Sequence, residues 1–114
     1  MTTVTLAVAS REEIGRRAAE AFGGKAQGVR LTFASVDLLW RVLTAKRWAL
    51  LQAMTGEGPM SLRETARRVG RDVKAVHADV HALLDAGVLE KDADGRIVFP
   101  YDAVHVDFTL GKAA

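Results

Sequence analysis

The sequence predicts an α+β fold: a winged helix-turn-helix with a small additional β-sheet built from its N- and C-terminal strands. Three observations predict it. Across residues 35–100 the periodicity runs helix, helix, tight turn, helix, then two short apolar-rich runs joined by a turn. Ala66 and Gly70, four apart, supply a small residue for close helix approach and a glycine for the left-handed backbone of the turn. Three alternating segments, at 4–8, 29–33 and 104–110, flank this unit. The chain of 114 residues is 49% apolar and 26% charged, enough for one domain with a core of its own.

Thr2 to Ala9 alternates, with Val4, Leu6 and Val8 on one side and Thr3, Thr5 and Ala7 on the other, as a half-buried strand does. Ser10 and Glu13 form a capping box that opens a helix to about Phe22, stopped by Gly23-Gly24. Val29, Leu31 and Phe33 alternate as a second strand. Ser35 caps a short helix through about Val42, with Val36, Leu39 and Trp40 on its apolar side. Thr44 caps the next, Ala45 to Met54, whose inward stripe is Leu43, Leu50, Leu51 and Met54 with Arg47 at its edge. Trp40 and Trp48 are expected as core anchors rather than base-stacking platforms.

Thr55 to Pro59 reads as a loop, and Ser61 and Glu64 form a second capping box. The helix they open has Leu62, Thr65, Ala66 and Val69 on its inner face and ends at Gly70. Asp72 caps a third helix with Val73, Val76, Val80, Leu83 and Leu84 inward, ended by Gly87. Val88–Lys91 and Arg96–Phe99 flank Asp92-Ala93-Asp94-Gly95, a strong hairpin signal. Val104, Val106, Phe108 and Leu110 alternate with His105, Asp107 and Thr109 as a closing strand.

The net charge of +2 conceals an asymmetry. Residues 1–40 carry five basic and four acidic groups, residues 41–74 eight against three, and residues 75–114 three against seven. A basic middle beside an acidic end points to a one-sided nucleic-acid face. The third helix of the motif would enter the major groove with its N-terminal part toward base edges. There Lys74, Ala75, His77, Ala78 and His81 project away from the apolar stripe, with Arg71 just ahead of them. Ser61, Arg63 and Arg67 lie on the supporting helix, and Lys91 and Arg96 on the hairpin, among Glu90, Asp92 and Asp94. Ala75 and Ala78 leave few groups for bidentate base recognition. Charge runs more often solvate helix faces than bind a ligand, so these residues gain weight only from the motif around them.

Other chemistries find little support. The chain has no cysteine, which excludes disulfides and thiolate sites and fits a cytoplasmic location. Its first residues lack the pattern of a signal peptide, and no apolar run is long enough for a membrane span. His77 and His81, four apart, suit two metal ligands on one helical face, but no third ligand is obvious, so no metal and no cofactor is expected. No nucleophile–base pair or phosphate loop appears, so no enzymatic activity is expected either.

From Leu31 to Leu110, 80 of the 114 residues, the chain resembles the prokaryotic winged helix-turn-helix regulators and is distantly similar to MarR-type repressors. The segments that carry the resemblance are LTAKRWALLQAM (43–54), the loop GP (58–59), SLRETARRVGRDVKAVHADVHALLDAGVLE (61–90), DGR (94–96) and PYDAVHVDF (100–108). It is most specific at GRDVKAVHADV and at Pro100-Tyr101-Asp102. The resemblance implies a recognition helix at about 73–86 carrying Lys74, His77 and His81, with Arg71 at its entry and Ser61 and Arg63 at the start of the supporting helix. It also implies, as an alternative, the role of the antitoxin half of a toxin–antitoxin pair.

The expectation is therefore a cytoplasmic transcriptional regulator, a repressor acting on double-stranded DNA by operator occlusion, with residues 35–100 as its DNA-binding domain. Residues 1–34 form a strand–helix–strand extension for dimerisation or partner contact, and residues 101–114 a closing strand and tail. Exposed strand edges there suit a homodimer. The alternative is an antitoxin-type interaction module that binds a cognate toxin, with DNA binding secondary or lost.

Overall fold

The computed structural model of the protein describes residues 2–8 and 29–108. The Ser10–Glu13 capping box, the helix to Phe22, the Gly23-Gly24 stop and the strand residues Thr109 and Leu110 all lie outside the described residues. The described residues form a compact α+β fold with four helices and two small sheets.

In chain order the elements are β1 (Thr3–Val8), β2 (Val29–Phe33), α1 (Val36–Val42), α2 (Ala45–Met54), α3 (Leu62–Val69), α4 (Val73–Asp85), β3 (Glu90–Lys91), β4 (Ile97–Val98) and β5 (Ala103–Asp107). Each helix begins where a short polar side chain can take up an orphan amide. Ser35 Oγ accepts from Leu38 N–H at 3.2 Å, Thr44 Oγ1 from Arg47 N–H at 3.2 Å, and Ser61 Oγ from Glu64 N–H at 3.1 Å. Asp72 Oδ2 accepts from Lys74 N–H at 3.1 Å. The Ser61 box is only half realised, because the Glu64 carboxylate turns to Arg67 and Arg68 instead of reaching back.

The three long strands form a parallel sheet of order β2-β1-β5, in which Leu6 aligns with Leu31 on one side and Val106 on the other. Parallel neighbours need a long crossover, and residues 9–28 separate β1 from β2. Central placement explains why Ala7, on the side expected to be polar, is only 2% exposed. Val4 and Leu6 are buried in one core cluster with Leu39, Leu50, Leu51, Met54, Val76, Val80 and Leu83. Sheet and helices therefore share one apolar interior.

The two tryptophans part company. Trp48 packs against the core, but Trp40 is 52% exposed and meets the ring of Phe108 nearly at right angles, with ring centroids 5.6 Å apart. On so short a helix Leu39 and Leu43 take the buried line, and Trp40, one residue on from Leu39, is swung about 100° off it. Val73, expected inward, is likewise 39% exposed at the first turn of α4.

Between α3 and α4 the chain reverses at Gly70, with φ 65° and ψ 36°. Gly70 N–H donates to Arg67 O, and Arg71 N–H to Ala66 O at 3.1 Å, which closes the end of α3. A Cβ at Gly70 would meet nothing within 4 Å, so the position demands glycine for its backbone conformation alone. Gly70→Ala should therefore destabilise the fold by about 1 kcal/mol. An unchanged urea midpoint would show that the turn adopts another conformation.

Candidate nucleic-acid interface

The turn at Gly70 leaves α4 with one buried and one open side. Val76, Val80 and Leu83 face the core, while Lys74, Ala75, His77, Ala78 and His81 are all exposed. The rings of His77 and His81 lie together, centroids 4.1 Å apart and inclined by 45°. Ser61 and Arg63 are exposed at the start of α3, where Ser61 is occupied as its cap.

The hairpin β3–β4 follows α4 directly, pairing Glu90 with Val98 and Lys91 with Ile97. Its turn is tied by Asp92, whose Oδ1 accepts from the amides of Asp94 and Arg96, both at 2.9 Å, while Gly95 supplies a φ of 79°. Met60, just ahead of α3, bridges Ile97 through two 2.9 Å hydrogen bonds and fixes the hairpin against the start of that helix. Lys91 and Arg96 are exposed on it, as are Glu90 and Asp94.

The basic middle of the chain is not all available to a ligand. Arg67 and Arg68 both donate to Glu64, and Arg68 also lies 3.4 Å from Glu57. These hydrogen bonds, first from Arg67 and then from Arg68, hold the Glu64 carboxyl down to about 2. Arg71, expected to face outward with the recognition residues, instead donates to Asp79 at 2.7 Å. Arg47 donates to the other oxygen of Asp79 at 3.1 Å, and its Nη1 donates to the carbonyls of Arg41 and Val42, each at 3.0 Å. Asp79 thus clamps α4 to α2 and to the turn, while Arg47 carries the connection on to the end of α1. Burial pushes the Asp79 carboxyl up, but Arg71 and Arg47 outweigh it and leave it below its ordinary value.

Nothing local in the sequence marks Asp79, because a carboxylate on a helix usually faces water; the signal is Arg47, an arginine at the edge of an apolar stripe. Among the described residues, Arg63, Lys74, Lys91 and Arg96 make no ion pair, so they are the candidate positions still open to an anionic partner. Among the described residues no group of three or more His, Cys, Asp or Glu is placed to share a metal ion, and no helix is long and apolar enough to cross a membrane.

Away from α4 an apolar cleft of about 750 Å³ opens between α1, α2 and β5. Trp40, Leu43, Trp48, Val106 and Phe108 line it, and no charged side chain does among the described residues.

No curated protein matches the sequence. Residues 42–106, more than half of the chain and the whole of the α2–α3–α4–hairpin unit, match one protein family, and the chain belongs to that family, HVO_A0114.

Proposed function

We infer that the chain is a transcriptional regulator that binds double-stranded DNA through a winged helix-turn-helix, with α4 as recognition helix and β3–β4 as wing. One observation carries this: α4, set by a glycine turn against α3, turns an uninterrupted open face of Lys74, Ala75, His77, Ala78 and His81 to solvent. The Met60–Ile97 bridge supports it further, because it places the hairpin beside the start of the supporting helix, as a wing requires. Arg63, Lys74, Lys91 and Arg96 neutralise phosphates, and operator occlusion represses transcription. A second copy supplies the second recognition helix that a palindromic operator needs.

The test is fluorescence anisotropy on a duplex taken from upstream of the protein's own gene, across a range of salt. Log affinity should fall with log salt by about 0.9 per neutralised phosphate. Lys74→Ala should reduce that slope by about 1 and leave the urea midpoint unchanged. Arg71→Ala should do the reverse, lowering stability through Asp79 while leaving the slope alone. A flat salt response in the wild type would sink the DNA-binding reading.

The cleft at Trp40 favours a second reading, an antitoxin-type module that holds a partner protein on its apolar surface. Co-expression with the product of the adjacent gene separates the two. A complex that forms with Lys74→Ala but is lost with Trp40→Ser would favour the module.

A further inference from the structure

The geometry points to His77 and His81 as a two-imidazole chelating site for a divalent transition-metal ion such as Ni²⁺ or Zn²⁺, borne on the outward face of α4. Residues four apart on a helix share a face, but spacing alone lets their side chains diverge. Here they converge: both are exposed, and their ring centroids stand 4.1 Å apart. A tetrahedral ion with metal–nitrogen bonds of about 2.0–2.1 Å needs its two nitrogens about 3.3 Å apart. Both side chains are exposed and free to turn about their side-chain bonds, so the two rings can open from their present contact to bring one nitrogen of each to that separation. Imidazole suits zinc, nickel and copper rather than magnesium or calcium, so the ion's class follows from the ligand.

The remaining coordination positions face solvent and would be filled by water, so the site is an open chelate of two imidazoles rather than a closed cage. Lys74 lies one turn before His77 and Asp85 one turn after His81, both exposed, so the pair sits between opposite charges. The inference does not rest on the DNA-binding reading. On that reading, however, a bound ion would add positive charge to the face of α4 that carries Lys74.

The experiment is calorimetric titration of the untagged full chain with Ni²⁺ and with Zn²⁺, in the absence of nucleic acid, with the histidine imidazole resonances followed by NMR. One ion per chain is expected, with His77 and His81 shifting together. Binding the second imidazole is intramolecular, so His77→Ala and His81→Ala should each weaken affinity by about tenfold to a hundredfold. His105→Ala, which removes the exposed histidine of β5, should change nothing. Both α4 positions are exposed on a helix and alanine is the better helix former, so these variants keep the fold. Equal affinity in wild type and His77→Ala, or an equal loss in His105→Ala, overturns the proposal whatever the outcome with DNA.

Discussion

Asp79→Ala is expected to lower the unfolding free energy by about 2–4 kcal/mol, read as a shift of the urea midpoint. The carboxylate holds Arg47 at 3.1 Å and Arg71 at 2.7 Å, and the three side chains are between 16% and 21% exposed. Removing it leaves two guanidiniums largely out of water with their shared counter-charge gone, which costs more than the pair contributes relative to apolar residues. Among the described residues Arg71 Nη1 is already buried without a hydrogen-bond partner, so no alternative acceptor is at hand there. Asp79→Asn keeps the shape and one acceptor oxygen and should fall between the two. A loss below about 0.5 kcal/mol would mean that the cluster behaves as an ordinary surface pair.

The same cluster sets an acid limit. The Asp79 carboxyl lies lower in the folded chain than in the unfolded one, held there by both arginines against the cost of burial. Its contribution is therefore complete above the ordinary carboxylate range and is lost as the pH falls below about 4 towards the folded value. Glu64, held down to about 2 by Arg67 and Arg68, acts in the same direction. Asp79→Ala should flatten the acid limb of the stability profile, leaving the part due to Glu64 and the other carboxylates.

Phe99→Ala is expected to cost about 3–5 kcal/mol. The ring is 1% exposed, sits in the common core directly after β4, and meets Tyr101 edge to face at 5.1 Å. It anchors the base of the hairpin, whose two short strands exchange too few hydrogen bonds to hold themselves in place. Phe99→Leu should cost less than about 1.5 kcal/mol, because most of the volume is kept. Burial, and after it the charge of Glu90, raises the Tyr101 phenol above its usual value. In Phe99→Ala water reaches that phenol, so its spectrophotometric titration should move back toward normal. A titration and a urea midpoint both unchanged would show that the hairpin is held by something other than this ring.

The stretches legible in the sequence share one property: their signals act over three or four residues. Ser35, Thr44, Ser61 and Asp72 each cap the helix they were expected to cap, and Gly70 and Gly87 end the two helices of the tight turn with positive φ. The Asp92–Gly95 turn closes a hairpin through the side chain of Asp92. Strands beside such signals came out shorter than the apolar pattern predicts. Val88 and Leu89 are apolar because they are buried, yet their amides bond to Leu83 O at the end of α4 rather than across a sheet. Hydrophobicity records burial, and an extended segment can be buried without a strand partner.

The candidate site divides in the same way. That Lys74, His77 and His81 share the open side of α4 follows from a period of 3.6 and a valine–leucine stripe, both present in the sequence. That Arg71 is consumed by Asp79, eight residues on, and by a cluster that also holds Arg47 of α2, depends on how α2 and α4 cross. Of the eight basic groups of residues 41–74, Arg47, Arg67, Arg68 and Arg71 all pair with carboxylates of the same chain, so the count overstates the charge left open to a partner.

By itself, then, the sequence determined the identity of the described helices, their caps, the glycine turn and the side of α4 that stays open, because each is set by neighbours within a turn or two. The tertiary structure alone decided that β1 is the central strand with both neighbours parallel, that Met60 bridges Ile97, and which arginines remain free. β1 and β5 are about a hundred residues apart in the chain yet align Thr3 with Ala103. Alternation marks a strand but names no partner, and a charge count names no counter-ion; pairing over that distance is settled only when the common core brings the elements together.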